Sequence, residues 1–335
     1  MLVVVGHVVL EGETFPFHLI HGIIYSFHMP LFFILSMRTS KLSENRDRLK
    51  QRAKKSFRHL ILPALVFFGI KTVMDLLKNG MTEANWFVFV QNKITTLVYA
   101  SGSPFSVNDT YVKSIELLWF LFALFLGKVL YDYLHLTLTR KTFVVTLAVC
   151  SVLGICNFLY LPFSLDIVLV ILPLLAFGDY LKRIDLTKKW FLYGFIALGV
   201  WLTSFAYVFW VTDNFLDFAN RQYPLFHLCL LPAVAGVVFV CCLCIALTKL
   251  GVVMKPFIYL GRYSLYFFCV HAVDELFLFF WGSSDDLWLC VLFRLLTDIV
   301  LFILVRLLIW LWKILSEKST FRNLLKKHQE AVPEE

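Results

Sequence analysis

The chain has 335 residues, of which 60% are hydrophobic and only 16% are charged, against a usual charged fraction of about 25%. No soluble core is large enough to bury that much apolar surface, so the composition excludes an ordinary soluble protein and favours one that lies in a bilayer. The net charge of +8 does not indicate a nucleic-acid partner, because Lys and Arg stand between apolar runs and not on one soluble face.

About ten apolar runs follow one another, and each is interpreted as a membrane helix, since about 20 residues cross the hydrocarbon core. The runs are 1–10, 23–36, 57–78, 116–134, 142–159, 165–181, 190–211, 225–248, 256–280 and 287–312. The expected fold is an all-α polytopic integral membrane helix bundle whose first helix is N-terminally incomplete, because the first run is too short to span. A membrane domain, 1–312, is followed by a polar cytoplasmic tail, 313–335.

The distribution of basic residues predicts the orientation. Loops after even-numbered runs are rich in Lys and Arg, above all residues 38–58, whereas loops after odd-numbered runs hold only Lys93, Lys113 and Arg221. The positive-inside rule therefore places the even-numbered loops and both termini in the cytoplasm. The longest outer loop, 79–115, is polar enough to form a small cap.

Histidines in the apolar runs are candidates for proton transfer. His7 follows Gly6 near the outer end of the first helix, where an imidazole could act as general base for a sugar hydroxyl or could simply rest at the interface. His28 and His271 lie in the second and ninth helices. Each of these two could instead be a hydrogen-bonded structural residue.

Charged residues offer further candidates. Lys55 and Arg58 share a helix face and could grip the phosphates of a nucleotide-containing donor, or could serve only topology and anionic lipid. The i,i+4 spacing of Lys71 with Asp75, and of Arg294 with Asp298, predicts two pairs that neutralise themselves within a helix.

Three candidates lie near predicted helix starts, and the cysteines are assigned no chemistry. Glu116 starts the fourth helix, and Asp166 and Arg262 could be caps or interface anchors. The eight cysteines fall in or beside apolar runs without metal-ligand spacing, which predicts packing residues and no metal.

Several segments in this order resemble the acyltransferase-3 family of bacterial membrane acyltransferases, and most closely its branch of fucose 4-O-acetylase and related acetyltransferases. The segments that carry the resemblance are Leu2-Val3-Val4-Val5-Gly6-His7, Ile24-Tyr25-Ser26-Phe27-His28-Met29-Pro30-Leu31-Phe32-Phe33-Ile34-Leu35-Ser36, Arg58-His59-Leu60-Ile61-Leu62-Pro63, Leu118-Trp119-Phe120-Leu121, Leu161-Pro162-Phe163-Ser164-Leu165-Asp166, and Tyr259-Leu260-Gly261-Arg262-Tyr263-Ser264 with His271.

The resemblance implies a ten-helix enzyme of the bacterial plasma membrane. Such an enzyme takes acetyl, or another short acyl group, from cytoplasmic acetyl-CoA and delivers it to a hydroxyl of a cell-surface or lipid-linked glycan, with no metal. Membrane lipid and the glycan acceptor are the implied partners.

The resemblance also assigns roles to residues. It implies a catalytic role for His7, Ser264 and His271, and contact with the donor for Lys55 and Arg58. Beyond the resemblance, we expect Glu116 to join the catalytic residues and His28, Trp119 and Asp166 to bind the acceptor.

The chain departs from the family pattern at two places. The family's basic residue about ten positions before the helix 1 histidine would precede Met1, and Ser36 is followed by Met37 where the family usually has glycine.

Two other functions remain open from the sequence. A secondary transporter or flippase would also need about ten helices, buried charges and a basic cytoplasmic face, although the chain shows no internal symmetry of the kind common in transporters. A non-catalytic membrane partner of a glycan-assembly complex is the third reading. Release of CoA that depends on an acceptor would distinguish the enzyme from both.

Overall fold

The computed structural model describes residues 15–79, 86–107, 110–156, 160–272 and 287–330. It divides into two compact units, one ending at Tyr259 and one beginning at Leu260. The α-helices up to this division are α1 (Phe15–Tyr25), α2 (His28–Arg38), α3 (Arg46–Ser56), α4 (Leu62–Asn79), α5 (Trp86–Tyr99), α6 (Trp119–Thr137), α7 (Arg140–Ile155), α8 (Leu165–Leu181), α9 (Trp190–Thr212), α10 (Leu230–Leu247) and α11 (Lys255–Arg262), within which the division falls. Two strands, β1 (Phe105–Val107) and β2 (Thr110–Val112), pair antiparallel between α5 and α6.

Six helical stretches among the described residues are long and apolar enough to cross a bilayer. They are His18–Arg38, Arg46–Leu77, Glu116–Thr137, Pro162–Leu181, Trp190–Thr212 and Phe226–Arg262. The predicted all-α membrane bundle is confirmed. The total of ten helices stays a prediction, and the first run, 1–10, lies outside the described residues.

Helix α8 is the centre of the first unit. Its sequence is apolar all round, which is typical of a helix that is buried on every side, and Ile167, Ile171 and Leu175 have no exposed surface. It packs against α2, α6 and α7. At Gly178 the backbone of α2 comes so close that an added Cβ would lie 2.3 Å from the carbonyl oxygen of Ile34. Small residues allow this kind of close crossing between membrane helices.

Helices α9 and α10 form a second pair beside this centre. They meet where Gly194 of α9 faces Cys242 of α10. A Cβ added to Gly194 would lie 3.1 Å from the Cβ of Cys242. The far side of α9 leaves Phe195 and Trp210 69% and 77% exposed. Large aromatic surface of this kind fits contact with lipid, since no polar solvent is needed to cover it.

The basic segment 38–58, predicted to be a loop, contains a helix, α3. The Asn45 side chain caps it by accepting a hydrogen bond from the Arg48 amide over 2.9 Å. Asp47 in the first turn and Lys54 and Lys55 in the last turn match the helix dipole. Local capping chemistry therefore overrides the lack of an apolar face.

The first predicted helix pair also differs in detail. A break at Ser26 and Phe27 separates α1 from α2, inside one predicted apolar run. Ser26 Oγ donates to the carbonyl of Ile23 over 2.8 Å and accepts from the Trp201 indole over 3.0 Å. These bonds satisfy polar groups that the break removes from the regular helix ladder.

The first unit has two chemically different ends. The basic end carries α3 and the loops around Arg38, Arg140 and Lys182. The cap end carries the loops at 100–118, 160–166 and 213–229, which are joined by hydrogen bonds such as that from Ser103 Oγ to the carbonyl of Ala219, 2.7 Å. The polar cap predicted for 79–115 is thus more than a loop, since it contains α5, β1 and β2.

The second unit contains α12 (Ser264–His271) and α13 (Leu287–Glu330). The two helices pack together, with the rings of Phe267 and Phe302 5.9 Å apart. Helix α13 continues without interruption past residue 312 to Glu330. The boundary at 312 between a membrane domain and a tail stays a prediction.

The close crossing at Gly178 predicts a strong effect of one methyl group. Gly178→Ala should lower the free energy of unfolding by about 1–3 kcal/mol, because the added Cβ overlaps backbone that cannot move aside. Gly199→Ala, in the interior of α9 with nothing within 4 Å of its Cβ position, should leave stability unchanged or raise it by up to about 1 kcal/mol. Equilibrium unfolding in mixed micelles measures both, and equal effects would contradict the packing of α2 on α8.

Candidate functional site

The residue with the central predicted role, His7, lies outside the described residues, and its function stays a prediction. The other candidate residues fall at the cap end of the first unit, at its basic end, and in the second unit.

A network of polar side chains joins three loops at the cap end. We call it the cap cluster, and its members are Ser101, Tyr160, Asp166, Arg221 and Tyr223. Tyr223 makes no hydrogen bond to the others and is included because its phenol lies near enough for the Asp166 carboxylate to raise its pKa. Arg221 Nε donates to Asp166 Oδ2 over 2.7 Å, and its Nη1 donates over 2.9 Å both to Ser101 Oγ and to the carbonyl of Ala219. The guanidinium lies 4.0 Å from the centre of the Tyr160 ring, a cation–π contact.

The ion pair of the cap cluster is buried. The side chain of Asp166 is 3% exposed and that of Arg221 is 12% exposed. A buried charge is stable only when it is paired and hydrogen-bonded, so each partner requires the other. The sequence indicates Asp166 as a candidate, whereas Arg221 is predicted only as a cation in a loop. The available signal was that Arg221 is a basic residue in a class of loops otherwise nearly free of them.

The backbone around the cap cluster adopts left-handed conformations at residues that are not glycine. Ala100, Phe163, Ser164 and Arg221 have φ angles of 45°, 56°, 54° and 55°. Ser164 Oγ donates to the carbonyl of Ala100 over 2.7 Å, which links two of these strained points. Strain of this kind persists only where surrounding contacts hold it, and it is concentrated at functional sites.

Trp119 lies beneath one loop of the cap. It is 3% exposed, and a Cβ on Gly102 would lie 2.4 Å from its indole Cδ1. Glycine is therefore required at position 102 for the loop to lie directly on the ring. The structure places Trp119 next to the cap loops; its role towards an acceptor stays a prediction.

Two further titratable groups lie in the cap loop 213–225. Asp217 accepts hydrogen bonds from the amide of Ala219, 2.9 Å, and from Asn220 Nδ2, 2.7 Å. Burial raises the pKa of Asp217 in spite of these bonds. Burial, and next the nearby Asp166 carboxylate, raise the pKa of the Tyr223 phenol, which therefore keeps its proton near neutral pH.

Glu116 pairs with a charge from another helix. Its carboxylate contacts Lys71 Nζ of α4, and both side chains are mostly buried. Asp75, which the i,i+4 spacing assigned to Lys71, lies 2.7 Å from Lys93 of α5. Both ion pairs thus join separate elements, since side chains buried in one bundle meet across helices as readily as along them.

A cleft lies at the basic end between α2, α3 and α6. Its polar lining consists of Ser40, Arg52, Ser56, Lys128 and Asp132. We call it the basic cleft. Lys128 Nζ donates to Ser36 Oγ over 3.1 Å. Asp132 accepts from the amide and hydroxyl of Ser43 over 2.8 and 2.7 Å, and its carboxylate lies 3.7 Å from Arg52 Nη1.

Lys55 and Arg58, the residues predicted to contact the donor, are exposed. They are close in sequence to residues that line the basic cleft, but they do not line it themselves. Arg58 belongs to a π-helical turn, Phe57–Ile61, closed by a bond from the Leu62 amide to the Phe57 carbonyl. Pro63 explains this turn, because it has no N–H and its ring would crowd the carbonyl four residues earlier. Single π turns are frequent at functional sites. The donor role of both residues stays a prediction.

His28 contributes to the break between α1 and α2. It is buried, and its Nδ1 donates to the carbonyl of Ile24 over 3.0 Å. Its ring lies 4.4 Å from that of Tyr25. This geometry fits the structural role that the sequence left open for His28, while its role in acceptor binding stays a prediction.

In the second unit, Ser264 is the first residue of α12 and is exposed, whereas His271 at the end of α12 is buried. His271 Nδ1 lies 3.0 Å from Asp298 of α13. Asp298, for which the sequence predicts a pair with Arg294 inside α13, has this contact across helices, and the pair with Arg294 stays a prediction. A carboxylate at Nδ1 fixes the tautomer and orientation of an imidazole, as in known proton-transfer sites.

Metal-ligating groups do not converge in the part of the chain described here. No three His, Cys, Asp or Glu side chains in it lie close enough to hold a metal ion. The expectation of metal-free chemistry stays a prediction.

Comparison with known proteins gives one match. A family model described as an acyltransferase domain matches residues 1–315. No curated protein and no solved structure matches the chain.

The buried ion pair of the cap cluster predicts an asymmetric mutational cycle. Asp166→Asn should lower the free energy of unfolding by about 3–5 kcal/mol, because it removes the carboxylate to which the buried Arg221 guanidinium is bonded. Adding Arg221→Gln to Asp166→Asn should restore a large part of that loss. Asp213→Asn, at a side chain that is 86% exposed, is the matched control and should have no measurable effect. Equal losses in the single and double variants, measured by unfolding in mixed micelles, would contradict a charge-based role.

Proposed function

This chain belongs to the acyltransferase-3 family of membrane acyltransferases, and from that premise we propose that it transfers acetyl from acetyl-CoA to a hydroxyl of a cell-surface or lipid-linked glycan. The basic end then faces the bacterial cytoplasm, as do both termini. The observation that carries the proposal is the family match together with two different polar sites at opposite ends of the first unit. The basic cleft suits an anionic donor, and the cap cluster suits an acceptor without net charge.

Support for the donor side comes from charge and position. Acetyl-CoA carries several phosphate oxygens, which Arg and Lys bind by charge-assisted hydrogen bonds. Arg52 and Lys128 line a concave site with three serine hydroxyls near them, whereas Lys55 and Arg58 are exposed and do not line it. We assign phosphate binding to Arg52 and Lys128 in the cleft, with Lys55 and Arg58 guiding the donor from outside.

The proposed chemistry uses His7 as general base. His7 accepts the proton of the acceptor hydroxyl as the oxygen attacks the thioester carbonyl carbon, and neighbouring donors stabilise the oxyanion of the tetrahedral intermediate. The C–S bond then breaks, the acetyl ester forms, and the CoA thiolate receives the proton from His7. In the alternative order, the acetyl group moves first from CoA to the His7 ring and then from His7 to the acceptor hydroxyl.

Glu116, Ser264 and His271 complete the proposed catalytic set. The pair of Lys71 and Glu116 keeps a buried charge in the first unit. His271 Nδ1 lies 3.0 Å from Asp298 Oδ2, which brings a carboxylate close to one imidazole in the second unit. His271 therefore has the properties of a proton donor or acceptor, with Asp298 as its positioning residue.

The role of His7 predicts a large loss of transfer in one variant. His7→Ala should reduce acetyl transfer at least about 100-fold, because general base catalysis is worth about 10²–10⁴-fold. Acceptor-dependent release of CoA from the purified protein in nanodiscs is the measurement. His135→Ala, at an exposed histidine of α6, is the control and should keep its rate. A folded His7→Ala protein that transfers acetyl at the full rate would rule the mechanism out. If no acceptor causes the wild type to release CoA, the transporter is favoured.

The basic cleft predicts which cations bind the donor. Arg52→Gln and Lys128→Gln should each raise KM for acetyl-CoA about 10- to 100-fold, the worth of a hydrogen bond to a charged group, with little change in kcat. Both effects should shrink towards none with acetyl-pantetheine, which lacks the nucleotide phosphates. Lys50→Gln, at an exposed position of α3, is the matched control.

The donor site would lie at the exposed residues, and not in the cleft, if Lys55→Gln and Arg58→Gln raised KM more than Arg52→Gln and Lys128→Gln do. An equal effect of all these variants on acetyl-CoA and acetyl-pantetheine would exclude phosphate contact at either place.

A further inference from the structure

The cap cluster contains three polar atoms that its own network does not satisfy. They are Asp166 Oδ1, Arg221 Nη2 and Tyr223 Oη, each of which is fully buried and has no hydrogen-bond partner among the described residues. The remaining polar atoms of the ion pair are well bonded, since Asp166 Oδ2 accepts from Arg221 Nε and Arg221 Nη1 donates to Ser101 and Ala219. The network therefore holds the side chains in place and leaves one acceptor, one donor and one hydroxyl.

Such atoms are uncommon in native proteins and call for a physical explanation. A buried polar atom without a partner loses its hydration and gains nothing in return. Three of them in one cluster, beside four left-handed backbone residues, is a larger cost than ordinary packing requires. A ligand that supplies the missing partners would recover this cost on binding.

We propose that Asp166, Arg221 and Tyr223 bind neighbouring hydroxyl groups of an uncharged sugar, a site that rests on the glycan acceptor proposed above. The free oxygen of the carboxylate accepts from one hydroxyl, and the free guanidinium N–H donates to the oxygen of the next. The Tyr223 phenol, which can both donate and accept, completes the set. A vicinal diol presents this alternation of donor and acceptor.

The charge of the cluster selects against acidic sugars. The carboxylate of Asp166 and the guanidinium of Arg221 cancel, and the buried carboxyl of Asp217 beside Arg221 adds only negative charge. A uronic acid would bring a second anion to a site that has no cation to spare among the described residues. The site therefore favours neutral over anionic sugars. The Tyr160 ring stacks on Phe105, with the ring centres 3.8 Å apart, and it also contacts the Arg221 guanidinium.

Access to the site requires the cap loops to separate. The three atoms are buried, and the loops around them are joined by hydrogen bonds of serine hydroxyls, Ser103 to Ala219 and Ser164 to Ala100. Binding of a sugar would break contacts between loops and replace them with bonds to its hydroxyls.

Tyr223→Phe tests the proposal, because structural and binding roles predict opposite results. Removing a hydroxyl that has no partner should leave the melting temperature of the ligand-free protein unchanged or raise it. If the hydroxyl binds sugar, the same change should weaken binding about tenfold. The full chain in lipid nanodiscs, without any acyl donor, is heated with methyl glucopyranoside, methyl mannopyranoside or the anionic methyl glucuronide.

The expected result is that a neutral glycoside raises the melting temperature of the wild type and of Tyr111→Phe, an exposed tyrosine of β2, but raises that of Tyr223→Phe much less. The glucuronide should have a smaller effect than either neutral glycoside. The proposal is overturned if neither neutral glycoside stabilises the wild type, if Tyr223→Phe responds as the wild type does, or if the glucuronide stabilises more.

Failure of this site and failure of acyl transfer give different results. Normal CoA release with an unchanged glycoside KM in Tyr223→Phe would remove the site and keep the acyltransferase. Glycoside binding that depends on Tyr223, with no acceptor-dependent CoA release in the wild type, would keep the site and remove the proposed function.

Discussion

The need to satisfy polar groups inside an apolar bundle governs the first unit of this protein. Its central helix, α8, carries a carboxylate near each end, Asp166 and Asp179, with apolar residues between them. Asp166 is neutralised by Arg221, and Asp179 is bonded by Lys182 over 2.6 Å. Thirteen residues of helix separate the two carboxylates by about 20 Å. Because neither charge can be buried alone, both ends of α8 are fixed to the loops around them.

The two polar ends fit the chemistry of the family. In the proposed function the donor is anionic and carries a nucleotide, the acceptor is an alcohol, and the two arrive from opposite sides of the membrane. The basic cleft offers Arg52 and Lys128 beside hydroxyl groups, while the cap cluster offers an ion pair of no net charge. In the proposed reaction the thioester arm of the donor reaches from the basic cleft towards the cap cluster. The charged phosphates therefore stay at the basic end and do not cross the bundle. That arrangement also explains why the cap end can be strained and tightly bonded.

The sequence predicted what depends on apolar runs and local composition. The span of α8 agrees with the predicted run 165–181, α9 (Trp190–Thr212) agrees with 190–211 within one residue, and α10 (Leu230–Leu247) lies inside 225–248. It missed α3, where Asn45 capping and charge placement form a helix without an apolar face. It also paired Lys71 with Asp75, whereas Lys71 contacts Glu116 and Asp75 contacts Lys93. Sequence spacing shows which residues share a helix face, and it contains no information about which helix lies opposite.

The sequence by itself determined that the chain is a helical membrane bundle with a basic end, and its motifs determined the family. Both follow from local patterns, since hydrocarbon accepts only long apolar segments with internally bonded backbones. The tertiary structure alone decided that Arg221 meets Asp166, that Arg52 and Lys128 share a cleft, and that Tyr223 leaves its hydroxyl buried. These contacts join residues from 55 to 76 positions apart in the chain, where packing, and not the local pattern, selects the neighbour.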